Sequence, residues 1–213
     1  MRALSWNVYH GRSPNPSGRS LLGDFADALA GWEWDVALLQ EVPPWWPAVL
    51  ATACGATERH VLTSRNFGLA VRRAVASRNP DLLKANGGGC NALLVRGEVS
   101  EHRVVRLTWW PERRWAHGVR LPSGLWVVNL HASTHREAWA ARDVGRAAAG
   151  WPAGPLLFGG DLNLRRPAVD GMTWLGGNHV DHFFGRGVEG SSFEVLERGP
   201  LSDHPPIRVR ISL

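Results

Sequence analysis

Asn7, Glu41, His131 and Asp161 share one setting, since each stands at or just beyond the end of a short apolar, β-prone run. A side chain there emerges from the scaffold into a groove. Gly159-Gly160 directly precede Asp161-Leu162-Asn163. The glycines let the backbone turn sharply, and two polar residues spaced two apart can face one space. Asp203-His204 stands before Pro205-Pro206. A carboxylate, an amide and an imidazole are what phosphoester hydrolysis demands. A hard divalent cation takes oxygen ligands such as Glu41, Asp203 and the Asn7 amide. Water must lose a proton to a base, and the charge that develops on phosphorus needs donors such as imidazolium and amide. Each group also has a plainer role when taken singly: a turn former, a cap, an Asx turn, a surface loop. Their recurrence at strand ends is what points to chemistry.

The elements that must position these residues can be read from periodicity. Residues 3–8 alternate, with Leu4, Trp6 and Val8 on one face and Asn7 on the other. A Gly-, Ser- and Pro-rich loop follows, then a helix with Leu21, Leu22, Phe25, Ala28 and Leu29 on one face, ending at Gly31. Residues 36–39 predict a buried strand ending in Gln40-Glu41. Pro43-Pro44 stops it, and a shorter helix runs to about Ala53. Residues 59–105 are the least legible, with strands read at 69–71 and 92–95 around a loop containing Asn86-Gly87-Gly88-Gly89. Strands return at 117–121 and 125–130, joined by a Pro122-Ser123-Gly124 turn, and the second ends in His131. Thr134-His135-Arg136-Glu137 fits a capping box, so a helix is expected from near His135 to Gly150. Residues 155–158 predict a buried strand broken by Gly159-Gly160, and strands at 179–184, 192–196 and 207–211 complete the set. With no internal repeat and no linker, one α/β domain over residues 1–213 with more than one sheet layer is expected.

Composition sets the bounds. The 213 residues suffice for one well-buried domain, and 44% hydrophobic with 20% charged residues is ordinary for a soluble globular protein. No apolar run approaches the roughly 20 residues that cross a bilayer, and the N-terminus has no secretion signal, so a cytoplasmic monomer is the expectation. Cys54 and Cys90 form no metal knuckle and are read as two buried thiols. The net charge of +5 favours anionic partners such as nucleic acid or phospholipid head groups. Lys84 is the only lysine, so this charge is nearly all arginine, which suits bidentate phosphate contacts. Twelve Trp stand against one Tyr. Indoles could stack on bases, but packing in the core is their more frequent role.

Five segments in order carry a resemblance to a known group: Leu4-Ser5-Trp6-Asn7-Val8, Leu38-Leu39-Gln40-Glu41-Val42, Val128-Asn129-Leu130-His131, Gly159-Gly160-Asp161-Leu162-Asn163 and Ser202-Asp203-His204-Pro205. Val180-Asp181-His182-Phe183-Phe184 sits between the last two. Together they resemble the endonuclease/exonuclease/phosphatase (deoxyribonuclease I-like) superfamily. The resemblance implies a four-layer αββα sandwich, two packed, mainly antiparallel β-sheets flanked by helices, with the site along one edge of the sheets. It implies Mg²⁺ or Mn²⁺ held mainly by Glu41, with Asn7 and Asp203 contributing. Asp161 would activate or orient the attacking water, and Asn163 would position it or the phosphate. His204 would contact the scissile phosphate, Asp181 would hydrogen-bond that imidazole, and His131 would be a second donor. Deoxyribonuclease I-like, sphingomyelinase-like and inositol-phosphatase-like members carry His at this last position, and exonuclease III-like members carry Asn. In deoxyribonuclease I-like enzymes a glutamate from an earlier strand pairs with this histidine. No glutamate lies between Glu58 and Glu98, so either another residue such as Glu112 takes that role or His131 is held differently.

Arg165-Arg166 follow Asn163 closely, and Arg113-Arg114 precede the strand at 117–121, so these arginines are candidate contacts for a substrate phosphate. The leading expectation is a phosphodiesterase acting on nucleic acid, DNA or RNA. A phospholipid or inositol-phosphate hydrolase shares the same site chemistry. A binding module that has lost catalysis predicts a gap in the metal or histidine set, and no gap is found.

Overall fold

Strands buried on both sides need a layer against each face. The computed structural model describes residues 1–63, 66–83 and 89–213. One six-stranded sheet contains β1 (Arg2–Asn7), β2 (Val36–Val42), β3 (Thr57–Leu62), β4 (Cys90–Val95), β11 (Glu189–Val195) and β12 (Ile207–Ser212), in the order β11-β12-β1-β2-β4-β3. The other contains β5 (Glu101–Thr108), β6 (Arg114–Arg120), β7 (Trp126–His131), β8 (Leu156–Asp161), β9 (Thr173–Asn178) and β10 (Asp181–Arg186), in the order β5-β6-β7-β8-β10-β9. Four α-helices among the described residues flank them: α1 (Leu22–Gly31), α2 (Pro47–Cys54), α3 (Leu69–Ala76) and α4 (Glu137–Ala149). The expected αββα sandwich is the observed architecture. Each sheet is antiparallel except for one central parallel pair, β1 with β2 and β7 with β8.

Period-two alternation sorts the side chains into three cores. Leu4, Trp6, Ala37 and Leu39 pack outward with Phe25, Leu29 and Leu50 from α1 and α2. Val128, Leu130 and Phe158 pack outward with Ala140, Val144 and Ala147 from α4. Ala3, Val36, Leu38, Val127, Leu157 and Phe183 fill the space between the sheets. Counting on by twos from these last residues puts Asn7, Asn129, His131, Asp161 and Asp181 on the inter-sheet face as well.

Glu41 breaks this count. It would follow Ala37 and Leu39 to the helix side, but β2 carries a bulge: Leu39 pairs with Ala92 and Val42 with Cys90, so Gln40 and Glu41 oppose Asn91 alone. Glu41 adopts φ +54°, a left-handed conformation uncommon for a non-glycine residue. The bulge is held from the other sheet. Asn129 Nδ2 on β7 donates to the carbonyls of Leu39 and Ala92, both at 2.9 Å, and Asn129 Oδ1 accepts from Gln40 Nε2 at 2.8 Å.

Three local expectations are corrected. Gly159-Gly160 do not break the strand, since β8 runs through them to Asp161. Their role is close approach: a Cβ on Gly159 would press on the Phe183 ring, and one on Gly160, at φ +133°, would collide with the Leu130 carbonyl. Residues 69–71 are helical, not extended, and form the start of α3, none of whose residues is buried. A three-residue apolar run carries no period, and the Leu, Ala and Arg around it favour helix. The helix α4 begins at Glu137 with no side-chain cap, so Thr134 does not form a capping box. The preceding chain is pinned instead by buried Asp143 in α4, which accepts from Ser133 N at 3.1 Å, Ser133 Oγ at 2.5 Å and Thr108 Oγ1 at 2.7 Å. In the expected glycine loop, residues 86–88 lie outside the described residues.

Replacing Asn129 by Ala leaves two buried carbonyls short of a donor, at a cost of about 3 kcal/mol. For a chain of this length that lowers Tm by about 6–12 °C, measurable by calorimetry.

Candidate active site

Parallel pairing aligns strand C-termini, and here it does so twice along one edge. Asn7, the last residue of β1, is in register with Gln40 beside Glu41. His131 ends β7 opposite Asp161, which ends β8. The chain returns antiparallel in β10, whose first residue Asp181 pairs with Asp161. Asn7 and Asp161 meet across the sheets, with Asn7 Nδ2 donating to Asp161 Oδ2 at 3.0 Å. Asp161 Oδ1 accepts from the backbone N–H of Asn163 at 3.0 Å, and Asn163 Nδ2 donates to the Ala132 carbonyl at 3.0 Å.

His204 enters from the loop before β12. Ser202 ties this loop to β1, its Oγ donating to the Asn7 carbonyl at 2.6 Å and accepting from His204 N at 3.1 Å. Trp6 Nε1 donates to the His204 carbonyl at 2.9 Å. So held, His204 Nδ1 donates to Asp181 Oδ2 at 2.8 Å, leaving Nε2 4.0 Å from Asp161 Oδ2. His131 Nε2 lies 3.6 Å from the same oxygen and 3.8 Å from Glu41 Oε1, and it is buried with no hydrogen-bond partner. These separations are too long for hydrogen bonds. They bring polar groups that do not bond to one another to one point at the sheet edge.

The structure thus brings together Asn7, Glu41, His131, Asp161, Asn163, Asp181 and His204. Asp203 sits at the rim, its carboxylate 44% exposed and 3.9 Å from His204 Nε2. Arg165 and Arg166 are exposed just beyond Asn163. Arg114 is buried and ion-paired at 2.5 Å to Glu112, the residue considered as a partner for His131. The carboxylates within 4 Å of His131 are those of Glu41 and Asp161.

One neighbour of the site was not singled out from the sequence. His10 Nε2 is 2.9 Å from Glu41 Oε2, brought there by a 3₁₀ turn (Tyr9–Gly11) in which Tyr9 and His10 adopt φ +48° and +55°. Gly11 lies so close to the Trp46 ring that a Cβ would not fit. A histidine three residues after Asn7 and just before a glycine was the available signal. Periodicity does not reveal a left-handed turn. Cys54 and Cys90 are free and buried, as expected.

Comparison with known proteins agrees with this fold. The model of the endonuclease/exonuclease/phosphatase family matches residues 4–204. The chain belongs to this family. No curated protein sequence matches it. Among solved structures, an endonuclease/exonuclease/phosphatase from Beutenbergia cavernae is 18% identical, with a TM-score of 0.74, covering 100% of this chain and 71% of that one. The mannosyl-6-phosphatase Bt3783 of Bacteroides thetaiotaomicron is 15% identical, with a TM-score of 0.68 and 100% of both chains covered. TDP2 from Caenorhabditis elegans is 19% identical, with a TM-score of 0.67, covering 98% of this chain and 73% of that one. The family is one of phosphoester hydrolases, nucleases and phosphatases alike. No helix among the described residues is long and apolar enough to cross a membrane.

Burial pulls each ionisable group of this family member toward its neutral form, and neighbours decide the outcome. For His204, burial lowers the pKa, but the hydrogen bond and charge of Asp181 outweigh it and raise the imidazole to about 9. His131 has no such partner; burial and then the Arg114 guanidinium push it down to about 3, so its contacts with Glu41 and Asp161 are not ion pairs at neutral pH. Burial would raise Glu41, yet the adjacent His10 imidazole prevails and holds the carboxyl well below its usual range. Burial raises Asp161, only partly offset by His204 and by the Asn7 hydrogen bond.

In the metal-free protein the His204 contribution to stability is fully present below about pH 6.5, its unfolded value. It is lost as pH rises through about 9, the folded value. Asp181→Asn is expected to bring the His204 titration, followed by NMR of the ring protons, down to 6.5 or lower. It should also abolish the His204 share of the decline in Tm between pH 6.5 and 9. A His204 pKa still near 9 in the variant would contradict this assignment.

Proposed function

We propose that the chain is a divalent-metal-dependent phosphodiesterase that hydrolyses nucleic acid. The observation that carries this reading is the convergence of His131, His204, Asp161 and Glu41, whose contacts of 3.6–4.0 Å include no hydrogen bond. Two kinds of group converge there. Asp161, Asp181 and His204 offer ligand atoms within 4.8 Å of one another, the tightest acidic and histidine cluster among the described residues. His204 Nδ1 is already engaged by Asp181, however, so we assign this trio to acid–base chemistry and phosphate contact. The oxygen donors Glu41 and Asn7, with Asp203 at the rim, suit a hard cation such as Mg²⁺ or Mn²⁺. The orphaned His131 Nε2 lies 3.8 Å from Glu41 Oε1, where a bound group would give it a partner.

Bound there, the cation would supply Lewis-acid stabilisation of charge on the phosphoryl oxygens. Asp161, oriented by Asn7 and by the Asn163 backbone, takes the proton of the attacking water, and its raised pKa suits it to hold one. Asn163 Oδ1 positions that water or the phosphate. His204, cationic through Asp181, donates from Nε2 to a phosphoryl oxygen, and neutral His131 is a second donor. Arg165 and Arg166, exposed just beyond Asn163, would contact a flanking phosphate. The net charge of +5 supports nucleic acid as partner. The same residues would also serve an inositol-phosphate or phospholipid substrate, and one structural neighbour is described as a mannosyl-6-phosphatase.

A substrate panel separates these readings: plasmid, single-stranded DNA, RNA, bis-(p-nitrophenyl) phosphate and inositol phosphates, each with Mg²⁺, Mn²⁺ or chelator. Cleavage of nucleic acid is expected, lost with chelator and reduced about a thousandfold or more by Glu41→Ala. Activity confined to inositol phosphates or phospholipids would sink the nucleic-acid assignment. His10→Ala removes the support of Glu41 and should weaken Mn²⁺ binding, read by titration calorimetry, about tenfold or more. His10→Gln, which keeps a donor, should lose less.

A further inference from the structure

We propose that the tip of the β5–β6 hairpin is a stacking platform for unpaired bases of a single-stranded nucleic acid whose phosphate occupies the site. This rests on the nucleic-acid reading above and names the form of the substrate. Three observations carry it.

The first is exposure. Trp6, Trp34, Trp46, Trp126 and Trp151 are buried, but Trp109 and Trp110 in the tip are 61% and 82% exposed. Two adjacent indoles in water forgo the burial that such rings ordinarily contribute.

The second is position. Ala116 of β6 pairs with Leu130 of β7, so the next step of the ladder sets Trp115 against His131, and Arg114 lies one residue further on. The tip therefore extends beyond the same end of the sheet as His131 and Asp161. The Arg114 charge acts directly on His131.

The third is chemistry. The guanidinium groups of Arg106 and Arg113 lie 5.9 and 5.6 Å from the Trp109 ring centroid, and both residues are exposed. Two guanidinium groups over the Trp109 ring set positive charge beside the exposed Trp110 indole, which matches a nucleotide whose base stacks on Trp110 while its phosphate meets the cations. Bases in a duplex already spend both faces on their neighbours, so the platform selects single strands.

The test measures binding in EDTA, which keeps cleavage out of the readout. Fluorescein-labelled (dT)12, the same length of abasic strand, a 12-base-pair duplex and anionic phospholipid vesicles are titrated against the wild-type protein and against Trp110→Ala and Trp110→Phe. Because Trp110 is exposed, both variants are expected to fold, which circular dichroism and melting check. Trp110→Ala is expected to weaken (dT)12 binding about 5- to 100-fold, with little effect on the abasic strand, and Trp110→Phe to retain most of the affinity. Unchanged (dT)12 affinity, equal losses for the abasic strand, or wild-type binding to duplex as tight as to (dT)12 would each overturn the proposal. So would a Trp110-dependent attachment to vesicles that exceeds binding to oligonucleotides. If the wild-type protein hydrolyses no phosphodiester with any metal, the catalytic reading fails by itself, and the binding result still decides the platform.

Discussion

The amide of Asn129 reaches from one sheet to the other and donates to two backbone carbonyls beside the bulge in β2, and the placement of Glu41 depends on that reach. A strand displays its side chains alternately, so a regular β2 would send Glu41 toward the helices and away from Asn7. The extra residue reverses the count. The left-handed backbone of Glu41 is unfavourable in isolation. It is held by the hydrogen bonds of Asn129 to the flanking carbonyls and to Gln40, and by the parallel neighbour β1. The same contact locks the register of one sheet against the other, and with it the distances between Glu41 and the groups on β7 and β8.

Around that fixed point the site separates two histidines by environment. His204 and His131 both face Asp161 Oδ2, at 4.0 and 3.6 Å. The first carries a carboxylate on its far nitrogen and is held cationic; the second is buried beside an arginine and is held neutral. A charged donor, a neutral imidazole and carboxylates of opposite tendency, Glu41 ionised and Asp161 raised, thereby converge on one point. Environments that push pKa values apart within a few ångströms are characteristic of sites that move protons.

How much of this was legible depends on burial. β1, β2, β4, β7, β8 and β12, all interior to their sheets, announce themselves as alternating or continuous apolar runs, and the ends of each were expected to within three residues. β3, β5 and β9, which were not, are sheet edges. An edge strand is wetted on one side and need not keep an apolar pattern, so Thr57–Leu62 and Glu101–Thr108 read as irregular segments. The glycines before Asp161 were recognised as special for the wrong reason. They admit the Phe183 ring and the Leu130 carbonyl to a continuing strand, and no break occurs.

By itself the sequence determined which side chains reach the strand ends: an apolar run that ends in Asn, Glu, His or Asp delivers that group there, because the run must be buried. Only the tertiary structure decided how those groups meet. The bulge that turns Glu41 inward, the left-handed turn that brings His10 to it, the partner that each histidine finds, and the exposure of Trp109 and Trp110 all depend on contacts between residues far apart in the chain. Local periodicity reports which face of an element is buried. It carries no information about what stands opposite.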